Sequence, residues 1–382
     1  MHDLVSIVIP MYNCESCVEE FLLQVSNQDY ENIEIICVVE QSDDNTFELV
    51  NKHAKNDNRI IVINQEYLGA GVARNNGMSH SKGKYLCFFD VDDYVSVQYV
   101  SKMYEAITIN KVDIVVCEEG VRRSDGSLSN NSIYKNTHSR YYHRVIHPSS
   151  IDDIFVTASS YLHNKMFSKD LIISNNLSFS DTYCLNDILF VYSALLSSNR
   201  ILFINEILYY YSYKYRKSRI TNNKKYHKRD LITVYDQLYK WLENDNKFND
   251  YKKAFFRKWP ISLASMCSYQ RDEDFIKQVC DYLSYSKPWS DLSAEELYCY
   301  CKFDLSLTKL KLFLYKIKSL FYRIIDKSDN SFSYKVEASA NIIDNIQIIR
   351  EMLKNEYNKQ YIIKDNLIES IIRRLSRAKG NA

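Results

Sequence analysis

Short β-branched apolar runs alternate with segments of helical spacing through the first hundred residues. Val5-Ser-Ile-Val-Ile9 predicts a buried strand that stops at Pro10. Residues 15–27 place Val18, Phe21, Leu22 and Val25 at helical intervals. Ile33 to Val39 predicts a second strand, 45–56 a second helix, and Ile60 to Asn64 a third strand. A glycine-containing loop leads into a third helix over 71–79, and Tyr85-Leu-Cys-Phe-Phe89 predicts a fourth strand ending at Asp90. This alternation predicts an α/β fold with a mostly parallel, doubly wound sheet flanked by helices. In such sheets ligands sit beyond the carboxyl ends of the strands. The residues to inspect are therefore Tyr12 and Asn13, Glu40 to Asp44, and Asp90 to Asp93.

Later residues read differently. The pattern is mixed over 114–213, with a polar loop or hairpin tip near Ser124 to Asn131 and a helix over Asp187 to Ser197. Beyond Tyr226 the spacing is helical almost throughout. A chain of 382 residues exceeds what one core usually covers. The expected division is a catalytic domain over 1–221, itself in halves of about 1–110 and 111–221, and a helical C-terminal domain over 222–382. With 46% apolar and 25% charged residues the chain is not generally disordered, and 7 Gly and 4 Pro exclude collagen-like or Pro-rich architectures. The net charge of +1 hides a gradient: −10 over 1–110, +3 over 111–221 and +8 over 222–382. A basic back half favours an anionic partner: a membrane surface, nucleic acid or a phosphorylated substrate.

The run Val5 to Ile9 is too short for a signal-peptide core, and no stretch reaches the roughly 18 apolar residues of a membrane span. The chain is accordingly expected in the cytosol. Its 10 cysteines are read as reduced, partly buried thiols. Neither Cys14-x-x-Cys17 nor Cys299-x-Cys301 has the second ligand pair that a zinc site needs.

Candidate chemistry concentrates at strand ends. Asp90-Val91-Asp92-Asp93 packs three carboxylates into four residues, which ionise together most easily beside a cation. Hard oxygen ligands favour magnesium or manganese bridging to substrate phosphates; a solvated acidic turn is the alternative. In Tyr67-Leu-Gly69-Ala-Gly71-Val-Ala-Arg74-Asn75-Asn76-Gly77, glycine permits close backbone approach, and Arg74 offers a fork of donors to a carboxylate or phosphate. The glycine spacing fits neither a Walker loop nor a dinucleotide fingerprint. His143, His147 and His163 lack zincin spacing and are read as non-ligands, with His163 a candidate for the acceptor cleft.

In this order the motifs resemble family-2 glycosyltransferases with the GT-A fold. Val5-Ser-Ile-Val-Ile-Pro10-Met-Tyr12-Asn13, the acidic turn Glu40 to Asp44, Ala73 to Gly77 and Phe89 to Asp93 carry the likeness over the first hundred residues. His163-Asn164-Lys165-Met166-Phe167, Leu185-Asn186-Asp187, the tyrosine run 209–213 and Arg216, Ser218 and Thr221 extend it to about 221. The resemblance implies a nucleotide-sugar donor and an inverting transfer to a hydroxyl of a glycan or lipid-linked acceptor in surface polysaccharide synthesis. It places Pro10, Tyr12, Asn13, Glu40, Gly69, Arg74, Asp90 and Arg216 around the donor. It gives Asp92, with Asp90, to a Mn2+ or Mg2+ ion and makes Asp187 the catalytic base. The sequence departs from the pattern at Val39, where the acidic turn usually starts with Asp, at Asn186, where Glu is usual, and at His163, where Trp is usual.

The chemistry is coherent. A nucleoside-diphosphate leaving group needs its charge neutralised, and the attacking hydroxyl needs a base within hydrogen-bond reach. One carboxylate, Asp187, serves a single displacement; helix N-terminal charge stabilisation is its alternative role. A degenerate domain serving as a binding or scaffold protein is the competing reading, favoured by Val39 and Asn186. A nucleotidyltransferase lacks its Gly-rich loop ending in Lys, and a nucleic-acid enzyme is not expected because no nucleic-acid module is recognisable. In the C-terminal part, Lys302 to Lys327 joins an apolar helical side, Leu310, Phe313, Ile317, Leu320, Phe321 and Ile324, to Lys309, Lys311, Lys316, Lys318 and Arg323. That side is expected either to meet the inner face of the cytoplasmic membrane or to pack on the catalytic domain or a second subunit.

Overall fold

The computed structural model describes residues 2–259 apart from 130–131, 133–134, 152, 215–223 and 257. The region 302–327, Cys299, Cys301 and Arg216 to Thr221 lie outside the described residues. In chain order the elements are β1 (Val5–Met11), α1 (Val18–Ser26), β2 (Ile33–Glu40), α2 (Thr46–Asn56), β3 (Ile60–Gln65), α3 (Ala70–His80), β4 (Tyr85–Phe88), β5 (Tyr94–Val95) and α4 (Tyr99–Asn110). They continue with β6 (Ile114–Arg122), α5 (Lys135–His138), β7 (Val145–Ile146), α6 (Ile154–Thr157), β8 (Lys165–Ser168), α7 (Lys169–Ser174), α8 (Asp187–Ser197), β9 (Ile201–Ser212) and α9 (Lys224–Asn244).

The expected elements of the first hundred residues are all present. With the later strands they build a sheet that runs β3-β2-β1-β4-β8-β6-β9-β5, with β7 beside β9. The front, β3-β2-β1-β4, is parallel throughout. The parallel order stops at β8, which runs antiparallel between β4 and β6, so the whole is a mixed sheet of nine strands. Strands β5 and β7 are also antiparallel to β9, while β6 and β9 are parallel.

Because the order turns outward on both sides of β1, a crevice opens beyond the carboxyl ends of β1 and β4. Pro10 is tolerated there. Pairing with β4 ends at Val8, so Pro10 has a strand neighbour only in β2.

Burial explains the front half. Every residue of β2 is buried, and Ile35, Cys37 and Val39 belong to the core under α1 and α2. Helix α3 covers the other face so closely that a β-carbon on Gly77 would come within 2.5 Å of Val8 Cγ1 and 2.9 Å of Val38 Cγ2. A ring cluster of Phe88, Phe179, Phe190 and Phe167 ties β4 and β8 to α8. Residues 123–127 form the expected hairpin tip, closed by Arg123 N–H to Ser127 O and by Gly126 at φ 85°.

Helix α9 lies beyond the expected boundary at 221 and packs on α8, with Val234, Leu238 and Leu242 buried. The compact unit to which all these elements belong ends at Trp259.

One contact tests how tightly α3 holds the loop before α8. A β-carbon on Gly71 would fall 2.0 Å from Ser180 O and 2.9 Å from Asn186 Cβ. Gly71→Ala is therefore expected to destabilise the fold by about 1–3 kcal/mol through backbone displacement. Urea unfolding checks this; an unchanged midpoint would mean that the loop yields freely.

Candidate active site

Four loops converge on the crevice beyond β1 and β4. The first follows β1. Asn13, at φ 46°, accepts Asp43 N–H at 2.8 Å on its side chain, and its own N–H donates to Ser42 Oγ at 3.1 Å. Asn13 thus joins the β1 loop to the acidic turn. Asp44 stays inside that turn, taking Glu15 N–H and the Thr46 N–H and hydroxyl. Tyr12 lies against Tyr67 with ring centroids 4.4 Å apart, which joins the β1 loop to the loop before α3.

The second loop ends β2. Val39 is fully buried in the core, and the acidic side chain at the strand end is Glu40. A carboxylate therefore does stand at the start of this turn, one residue beyond Val39. Its Oε1 accepts Leu68 N–H and Gly69 N–H, each at 2.7 Å, and Gln65 Nε2 at 3.3 Å. Glu40 shapes the β3–α3 loop, and Gly69 there adopts φ 92°, which favours glycine.

The third group is built on α3 and β4. Arg74 projects from α3 with its side chain 9% exposed. It donates to Asp90 Oδ1 at 2.6 Å and to Asn186 Oδ1 at 2.6 Å. Its Nε is buried without a partner. Asn75 holds Phe179 through both its amide and its carbonyl, and Asn76 holds Gln65. The Arg-Asn-Asn run is thus a clasp that fixes the loops on either side of α3.

Asp90 begins the acidic cluster. Burial alone would raise its carboxyl, but Arg74 and His163 outweigh that and hold it far below the usual carboxylate range. Asp93 is buried: Oδ1 takes Ser212 N–H at 2.9 Å and Oδ2 takes the Tyr209 hydroxyl at 3.2 Å. Asp93 therefore ties the cluster to the end of β9. Asp92 lies between the two, half-buried.

The fourth group comes from the back half of the sheet, where the sequence pattern was least informative. His163 stacks on Tyr209 at 4.2 Å, gives Nε2 to Glu119 at 2.9 Å and turns Nδ1 toward Asp90 Oδ2 at 3.8 Å. Burial opposes its protonation, but Glu119, Asp90 and Asp93 push its pKa up to about 10. Lys165, fully buried, donates to Asn164 Oδ1 and Tyr161 O. Burial lowers it to about 7, against the pull of Glu119 and Asp187.

Glu119 was not anticipated from sequence. Its signal is the pair Glu118-Glu119 inside an apolar strand. The register shifts around Glu118 let both carboxylates point inward to different partners, Glu118 to His138 and Tyr142 and Glu119 to His163.

These two cations give a signed pH dependence. His163 contributes stability that is complete below about pH 6.5 and is lost as pH rises through about 10. The burial cost of protonated Lys165 is complete below about pH 7 and fades as pH rises toward 10.5, so its contribution rises over the same window. The two slopes oppose each other in the wild type. Lys165→Met is expected to unmask a fall in stability from pH 7 to 9, with a limit of about 1.4 kcal/mol per pH unit. Urea unfolding at three pH values reads it. A flat or rising profile would mean that His163 is not held as a cation.

Asp187 opens α8 and is half-buried. Burial raises its carboxyl, reinforced by Asp90 and opposed by Arg74 and His163. The sequence-derived residues Arg74, Asp90 and Asp187 are thus one electrostatic cluster. Pro10, Tyr12, Asn13 and Glu40 lie at or just beyond the carboxyl ends of β1 and β2, Gly69 lies in the β3–α3 loop, and Arg216 lies outside the described residues.

Among the described residues, Asp90, Asp93 and His163 each offer a ligand atom within 4.8 Å of the others. Asp92, which the sequence pairs with Asp90, is not in that trio. Cys14 and Cys17 are buried free thiols. No helix among the described residues is long and apolar enough to cross a membrane.

Residues 6–163 match the model of glycosyl transferase family 2. The glycosyltransferase GlyG of Streptococcus pneumoniae is 29% identical over 218 residues, which cover 55% of this chain and 71% of GlyG. UDP-Glc:α-D-GlcNAc-diphosphoundecaprenol β-1,3-glucosyltransferase WfaP of Escherichia coli is 38% identical over 111 residues, 29% of this chain and 43% of WfaP. The crystal structure of Staphylococcus aureus TarS 1–349 in complex with UDP-GlcNAc superposes with a TM-score of 0.58 at 18% identity, covering 94% of each chain. That likeness identifies the α/β fold.

Proposed function

We propose that this chain, whose residues 6–163 match the model of glycosyl transferase family 2, is a member of that family and moves a sugar from a UDP-sugar to a hydroxyl of a glycan or lipid-linked acceptor, with inversion, in surface polysaccharide synthesis. The observation that carries the proposal is the meeting of Arg74, Asp90 and Asp187 beyond the carboxyl ends of β1 and β4, where an open α/β sheet takes its ligand. The UDP-GlcNAc bound by TarS and the lipid-diphosphate acceptor in the name of WfaP support the choice of donor and acceptor classes.

In this mechanism Tyr12 and Tyr67 flank the base, and the Gly69 loop, braced by Glu40, lies beside the ribose and diphosphate. Asp187 accepts the proton of the attacking hydroxyl. Its carboxyl is raised by burial toward the working pH, as a general base requires. A single displacement by that hydroxyl inverts the anomeric carbon.

The donor set suits a hard divalent cation, Mn2+ or Mg2+. Both Asp93 oxygens already accept hydrogen bonds that tie it to β9. We assign the ion to Asp92 together with Asp90, as the family resemblance implies; the trio of Asp90, Asp93 and His163 is the alternative. When bound, such an ion neutralises the charge of the departing diphosphate.

Against the scaffold reading, which Val39 and Asn186 favour, stands the retention of Asp90, Asp92 and Asp187. Calorimetry with UDP, GDP and CMP, each with manganese and with chelator, tests the donor class. Metal-dependent preference for UDP is expected. Equal binding of all three, or binding indifferent to metal, would contradict it.

A further inference from the structure

We infer that Asp230, on α9, is a positioning residue for the base Asp187, acting through the loop that immediately precedes it. The inference rests on the reading of Asp187 as base. Leu185, two residues before Asp187, has φ 59°. A bulky side chain rarely occupies this left-handed region, and such strain persists only where the surroundings over-determine it.

The surroundings do so here. Asp230 Oδ2 accepts Cys184 N–H at 2.7 Å, a charge-assisted bond to the residue directly before the strained one. The Cys184 carbonyl accepts the Thr182 hydroxyl at 2.9 Å, and Asn186 O accepts Ser180 N–H at 3.2 Å. A second bond from α9 holds the start of the loop, from Ser180 Oγ to Gln237 Oε1 at 2.7 Å. On the opposite side Arg74 grips Asn186, and Gly71 leaves no room for retreat.

The loop is thus clamped between α3 and α9, with its strained turn adjoining the base. Asp230 touches neither donor nor acceptor chemistry in this arrangement. Its carboxylate fixes the peptide between residues 183 and 184, three residues ahead of the start of α8. Misplacement of a reacting group by about 1 Å costs about 10²-fold in rate.

The test is a double-mutant cycle on the full chain, reading kcat, KM for the donor and UDP affinity. Asp230→Ala is expected to lower kcat about 10- to 100-fold with KM and UDP affinity within twofold of wild type. Asp230→Asn keeps an acceptor oxygen and is expected to retain most of kcat. In an Asp187→Asn background, Asp230→Ala is expected to cost little more, because the group it positions is already gone.

Undiminished kcat in Asp230→Ala would overturn the inference, as would an additive loss in the double variant or an Asp230→Asn as poor as the alanine. Should Asp230→Ala fail to fold, Asp230→Asn and Gln237→Ala run through the same cycle decide it. Additivity of Gln237→Ala with Asp187→Asn then counts against the positioning role. If Asp187→Asn alone transfers at the wild-type rate, the base assignment itself falls and Asp230 with it. Loss confined to the Asp230 arms leaves that assignment standing.

Discussion

Asp187→Asn is expected to lower sugar transfer by about 10²- to 10⁴-fold while UDP affinity stays within about twofold. The range is what a general base contributes. The split follows from geometry. Asp187 stands at the first turn of α8 beside Arg74 and Asp90, and its carboxyl is raised by burial and by Asp90. The donor side of the crevice is built by β1, β2, β3 and α3, and the substitution leaves it intact. Removing a half-buried carboxylate near Asp90 also relieves like-charge repulsion, so folding is not expected to suffer. Steady-state rates with calorimetry separate the two quantities. Parallel loss of rate and UDP affinity would make Asp187 a binding residue.

Asp92→Ala is the second large effect. Loss of a metal-bearing carboxylate is expected to cut transfer by about 10²-fold or more and to raise the manganese concentration at half-activation. Outer-shell partners of metal ligands already cost about 10- to 100-fold. Asp93→Asn supplies the contrast. Its carboxylate holds Ser212 N–H and the Tyr209 hydroxyl, so it is expected to lower the unfolding midpoint more than the metal response. Near-normal turnover of Asp92→Ala in chelator would remove the metal assignment. Equal manganese curves for Asp92→Ala and wild type would move it to the trio of Asp90, Asp93 and His163.

The front of the sheet was legible because its signals are local. Runs such as Val5 to Ile9 and Ile33 to Val39 are buried on both faces and look apolar throughout, and their helices repeat at three and four residues. Asp90 could be found because it follows a buried strand, whereas Asp187, at the start of α8, was singled out by the family resemblance.

The acidic turn was legible in the same way: Glu40, named from the sequence, stands at the end of β2, and Val39 before it is buried in the core. Most of the back half depends on distant pairing. Strand β8 has four residues and gains its place from β4 and β6. The buried charges Glu119, His163 and Lys165 resemble solvent positions in the sequence and make sense only as partners. The tyrosine run 209–213 was noted as a family motif, but its contacts were not legible: the Tyr209 ring stacks on His163 and its hydroxyl meets Asp93.

The most direct measurement is a coupled transfer assay. The full chain, manganese, a panel of UDP-sugars and a lipid-diphosphate acceptor are incubated, with UDP release and acceptor mass followed together in wild type and Asp187→Asn. One UDP released per added sugar, a product of inverted anomeric configuration, and loss of both signals in the variant are expected. Acceptor glycosylation unaffected by Asp187→Asn, or nucleotide binding with neither donor cleavage nor acceptor gain under any UDP-sugar, would contradict the proposed activity.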